Sequence, residues 1–135
     1  QFNSLSVAQY LDDQVSAMPA FEPYAPGKLP NPIFVWRMKA DFQKTAKWTL
    51  YDLQDKLAQK GWMVPAYTMP ASIETMVVMR VLCKQGFSRD MADQLIADIE
   101  FAVNELNALQ YPTTTRIAME KNIPLVSRTF NHTGK

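Results

Sequence analysis

Between Thr75 and Lys84 the chain reads TMVVMRVLCK, an apolar run of Met, Val, Leu and Cys with Arg80 at its centre. Its valines favour a strand, and the run falls far short of the roughly twenty apolar residues that a membrane-spanning helix needs. Such a strand belongs inside a sheet. Arg80 sets the harder condition, because a guanidinium stays charged in a protein and burying it alone is costly. Strand alternation puts Arg80 on one face with Met76, Val78 and Leu82, opposite the face carrying Cys83. Three states satisfy the condition. Arg80 snorkels to water at the sheet rim, pairs with Asp41, Asp52 or Glu74, or grips an anionic ligand through two parallel donors.

The rest of the chain supplies the sheet and its cover. Leu5, Ala8, Leu11, Val15 and Met18 recur at helical spacing after a candidate cap at Ser4 or Ser6, and Pro19 ends that helix. Five prolines and Gly27 make residues 19–32 a connecting loop. The stretch IFVWRMK, Ile33 to Lys39, is a strand with apolar residues at both parities, so part of it is covered on both sides. Thr49 caps a second helix with Asp52 three residues on, close to a capping box, and Gly61 stands where the left-handed residue of its end is expected. Trp62 to Met69 follows as a short strand in which Pro65 favours an edge or a bulge. Ser88 caps a long helix whose apolar positions are Met91, Leu95, Ile99, Ala102, Leu106 and Leu109. The order predicts an α+β two-layer sandwich, a mainly antiparallel sheet of three to four strands with helices on one face. Its second face is not clearly polar, which points to a further domain or subunit.

Composition narrows the chemistry. A net charge of +1 with no basic block argues against nucleic acid, and no segment suits a membrane. No Gly-rich phosphate loop occurs. Cys83 and His132 lie far apart without a motif around either, so a metal site or a Cys–His nucleophile is not indicated, and Cys83 reads as a small buried hydrophobe. The lone cysteine fits a reducing cytoplasm.

Two tracts are more specific than any of this. YDLQDKLAQKGWMVPAYTMP, followed by VVMRVLCKQGFSRDMADQLIADIE, resembles the C-terminal part of glutamate decarboxylases of the bacterial, plant and fungal kind, pyridoxal-phosphate enzymes of the aspartate-aminotransferase fold type. The pieces GW-VPAYTMP, MR and GFSRDMA carry most of it, and LPNPIFVWRMK resembles the entry to the same small domain more loosely. The resemblance implies a small domain over residues 1–112 with a C-terminal tail at 113–135, in a cytoplasmic enzyme that is homo-oligomeric when full length. No lysine here has the Schiff-base context of the family, so the catalytic and cofactor-binding residues are expected in domains outside this chain. The start at Gln1 fits that expectation. Arg80 occupies the place of the arginine that holds the substrate α-carboxylate. Phe130, His132 and Thr133 resemble a tail whose histidine closes the active site as pH rises. The alternative is a free-standing ferredoxin-like module that binds a small ligand or dimerises.

Overall fold

The computed structural model describes residues 2–24, 33–69, 76–82 and 87–121. In chain order these form α1 (Phe2–Ser16), β1 (Phe21–Pro23), β2 (Ile33–Met38), α2 (Ala40–Thr45), α3 (Leu50–Gln59), β3 (Ala66–Met69), β4 (Met76–Leu82), α4 (Arg89–Asn107) and α5 (Thr114–Glu120). The four strands make one antiparallel sheet in the order β1-β2-β4-β3. Strand β4 is therefore central, with Val35 of β2 opposite Arg80 and Val78 opposite Tyr67 of β3. The chain between β2 and β3 passes the place that β4 later fills, through α3, so β2–α3–β3–β4 is a split βαβ unit.

Alternation assigns the faces. Phe34, Trp36, Met38, Val77, Met79 and Val81 are buried in one cluster with Leu11 and Val15 of α1, Leu53 and Leu57 of α3, and Leu95 and Ile99 of α4. Each fully buried side chain of this kind contributes about 1.5–3 kcal/mol, so this layer supplies most of the driving force. Val35 and Val78 are buried as well but stand outside that cluster, on the opposite parity. Aromatic rings thicken the core at the β1 edge: Phe34 stacks on Trp36 at 5.1 Å, and Phe21 meets both Trp36 and Trp48 edge-on at 6.4 Å. The Trp48 indole N–H donates to Asn107 Oδ1 at 2.9 Å, which ties the start of α3 to the end of α4.

Local sequence explains the helix ends. The Thr49 hydroxyl accepts from Tyr51 N while Asp52 Oδ2 accepts from Thr49 N at 2.9 Å, a complete capping box with Asp in the place usual for Glu. Gly61 ends α3 with φ +93°. A Cβ there would meet nothing within 4 Å, so the cost of substitution lies in the backbone alone. Gly61→Ala is expected to destabilise the protein by about 1 kcal/mol, read as a lower urea midpoint at unchanged slope. A midpoint equal to wild type would show that the turn relaxes without strain.

The structure departs from the sequence reading in five places. Phe21–Pro23 is a strand rather than loop, because its backbone finds Trp36–Met38 across the sheet. A short helix, α2, occupies Ala40–Thr45, with no side-chain cap and no buried residue to announce it. Helix α1 begins at Phe2, before either serine offered as its cap. The third strand starts at Ala66, since residues 62–65 are spent turning from α3 and packing Trp62 and Val64. The buried stripe of α4 opens on Ala92 and closes on Leu106, leaving Met91 and Leu109 exposed at the two ends. The architecture itself is the expected α+β one, with four strands among the described residues.

Candidate functional site

Arg80 stands in the middle of the central strand, on the face turned away from α1, α3 and α4. Its backbone is fixed on both sides, paired with Val35 on β2 and donating its N–H to Pro65 O at 3.2 Å. The side chain is exposed, and its guanidinium lies over the ring of Tyr67 with Cζ 5.7 Å from the centroid. Among the described residues no carboxylate lies within ion-pairing distance of it. Of the acids offered as structural partners, Asp52 is committed elsewhere: Oδ2 accepts from Thr49 N, Thr113 Oγ1 and Thr115 Oγ1. Asp41 sits in the first turn of α2, and Glu74 lies outside the described residues. A charged fork on a rigid strand, facing water with its donors uncommitted to any acid, suits a carboxylate or phosphate.

The tract around Trp62 explains how Arg80 comes to be held there. The Trp62 indole N–H donates to Asp98 Oδ2 on α4 at 2.7 Å and meets Phe87 edge-on at 6.3 Å. Ala66 N donates to Gln54 Oε1 on α3 at 2.7 Å, and the Thr68 and Tyr51 hydroxyls lie 2.8 Å apart. Strand β3 is thereby pinned to α3 on one side and to β4 on the other, while Trp62 ties the segment leading into it to α4. The segment GWMVPAYT acts as a brace that sets the height of β3, and with it of Pro65 and Tyr67, against Arg80.

The same face carries Arg37, whose Nε donates to Glu22 Oε2 at 2.8 Å and whose Cζ lies 5.3 Å from the Tyr24 ring. Strand parity does not reveal this pair, because Glu22 comes from the strand the proline-rich segment concealed. Tyr67 lies within GW-VPAYTMP, but its approach to Arg80 depends on the β3–β4 register and is not legible in that stretch alone. Cys83 and His132, with Phe130 and Thr133, lie outside the described residues. Among the described residues no three His, Cys, Asp or Glu side chains are grouped as metal ligands, and no helix is long and apolar enough to cross a membrane.

No family model matches the chain. Over 101 residues it is 39% identical to glutamate decarboxylase beta of Listeria innocua, a match covering 75% of this chain and 21% of that protein. Glutamate decarboxylase of Aliivibrio fischeri is 38% identical over 96 residues, 71% of this chain and 20% of its own length. The chain thus spans about a fifth of the curated relatives it matches. Among solved structures, a glutamate decarboxylase of Lactobacillus brevis superposes with a TM-score of 0.71 at 30% identity, over 81% of this chain and 24% of that one. A sphingosine-1-phosphate lyase of Burkholderia pseudomallei shares the fold, with a TM-score of 0.59 at 17% identity, over 78% of this chain and 21% of its own. A free-standing ferredoxin-like module shares the split βαβ unit but gives no reason for identity at this level.

Proposed function

Taking this chain as a segment of the glutamate decarboxylase family, we propose that it forms the C-terminal small domain of a pyridoxal-phosphate-dependent enzyme converting glutamate to 4-aminobutanoate and carbon dioxide. Within it, Arg80 grips the substrate α-carboxylate. The observation that supports this is the exposed Arg80 guanidinium, free of acidic partners among the described residues and held on the central strand by the braced GWMVPAYT segment. A planar fork binds both carboxylate oxygens at once, and so fixes the rotation of the bond that breaks as well as the position of the substrate.

The described lysines do not fit as holders of the cofactor. Lys39, Lys44, Lys47, Lys60 and Lys121 are exposed, and Lys56 is only partly buried beside Glu105 at 3.0 Å. A Schiff-base lysine is held desolvated in a pocket, and none of these is buried. Because the relatives it matches are about five times as long as the matched region, we assign pyridoxal phosphate to the parts of the protein that precede or follow this domain, and give this domain the task of binding and orienting substrate. The same reading entails a cytoplasmic homo-oligomer. It is tested by supplying the purified complete protein with pyridoxal phosphate and glutamate: 4-aminobutanoate and carbon dioxide should form in equal amounts. Turnover of an aromatic amino acid or cysteine sulfinate in place of glutamate would overturn the substrate assignment.

We extend the proposal to His132 as a switch that closes the site when its imidazole is neutral, on the strength of the tail resemblance. Removing residues 130–135 from the complete enzyme should then carry activity about one pH unit further toward neutral. A pH profile unmoved by the deletion would count against the switch.

A further inference from the structure

Two arginines share the open sheet face, and their surroundings differ in kind. Arg37 is occupied on several sides: Glu22 takes its Nε–H, Met76 Sδ lies 3.6 Å from one terminal nitrogen, and Tyr24 covers it. Its charge is answered by Glu22. Arg80 has, among the described residues, the Tyr67 ring and no acid. A ring face attracts a cation through its quadrupole yet accepts none of the five guanidinium N–H bonds in the way an oxygen does. It restrains the group without neutralising it.

The ring is itself well placed to impose that restraint. Tyr67 lies opposite Val78, diagonal to Arg80 across the β3–β4 pair, where long side chains reach each other. Its neighbours on either side, Ala66 and Thr68, are tied to Gln54 and Tyr51 of α3. The platform under the guanidinium is thus tied to α3 as well as paired with the strand that carries the arginine.

We propose that Tyr67 is a positioning residue for Arg80: its ring, rather than its hydroxyl, holds the guanidinium over β3 with the fork left free for the substrate carboxylate. This rests on the carboxylate role given to Arg80 above. Without the ring, the arginine samples other rotamers before each encounter, which weakens ground-state and transition-state binding alike. Such a loss raises KM and leaves kcat in place.

The test compares Tyr67→Phe, Tyr67→Leu, Tyr67→Ile and Arg80→Lys in the complete enzyme, with KM and kcat for glutamate and Tm measured for each. The two aliphatic variants should raise KM about three-fold at constant kcat, the worth of one exposed cation–π contact, while Tyr67→Phe restores the wild-type value. Isoleucine guards against a leucine variant that fails in the strand. Wild-type KM in both aliphatic variants, with Arg80→Lys impaired, overturns the role of Tyr67 and leaves Arg80 as the carboxylate ligand. So does a KM rise in Tyr67→Phe equal to that in Tyr67→Leu, or a fall in kcat that tracks Tm with KM unmoved. Arg80→Lys with wild-type kinetics would instead overturn the carboxylate reading itself.

Discussion

Arg80→Lys in the complete enzyme should lower kcat/KM for glutamate about a hundred-fold, a loss of roughly 3 kcal/mol of transition-state binding. Lysine keeps the positive charge but offers a single rotating ammonium in place of a planar fork, so one of two parallel bonds to the carboxylate is lost along with the angle they define. The fold should not notice. Arg80 is exposed and makes no ion pair among the described residues, and substitutions at such positions usually stay within about 0.5 kcal/mol. The measurement is therefore a pair: steady-state kinetics beside urea unfolding. Kinetics within three-fold of wild type, or about equal losses of stability and activity, would remove Arg80 from the substrate.

The largest effect on stability is expected at Asp52→Ala. Asp52 is buried, and its Oδ2 accepts from Thr49 N at 2.9 Å, Thr113 Oγ1 at 2.6 Å and Thr115 Oγ1 at 2.7 Å. Thr49 and Thr115 also lie 2.7 Å apart through their hydroxyls. One carboxylate oxygen thus closes the capping box of α3 and draws α5 onto it. Alanine removes the acceptor and strands buried donors, at a cost of about 3 kcal/mol. Asp52→Asn keeps a carbonyl acceptor at the same place and should cost about 1 kcal/mol. Urea midpoints for the two variants check this, and equal losses would show that the carboxylate oxygen is not the organising atom.

What could be read from the sequence follows the range of the interactions. Helices α3 and α4 are legible because their caps and apolar stripes are local: Thr49 with Asp52, Ser88 with Met91 N, and leucines three or four residues apart. Gly61 is legible for the same reason, since a left-handed residue after a helix is a local demand. Strand β1 is not, because Phe21–Pro23 becomes a strand only through pairing with Trp36–Met38, some fifteen residues along the chain. The site divides along the same line. Alternation tells which face Arg80 is on, and the flanking motifs tell what it resembles. That Tyr67 lies beneath its guanidinium is decided by the β3–β4 register, and that Arg37 pairs with Glu22 by β1, neither of which a single stretch of sequence encodes.

The strand order has a consequence for how the domain comes into being. Strands β2 and β3 do not touch; each pairs with β4, which follows both in the chain. A nascent chain that has emerged only as far as β3 can form the β1–β2 hairpin and α3, but its two halves have no shared ladder to join them. Among the described residues, the strand bearing Arg80 is the last of the sheet to be synthesised and the one that joins it, through the long-range pairing of Val35 with Arg80. Closing that loop carries an entropic cost that forming the local helices does not. Until it closes, Val78 and Met79 lack the neighbours that bury them, and transiently exposed strands of this kind are what aggregation and proteolysis act on.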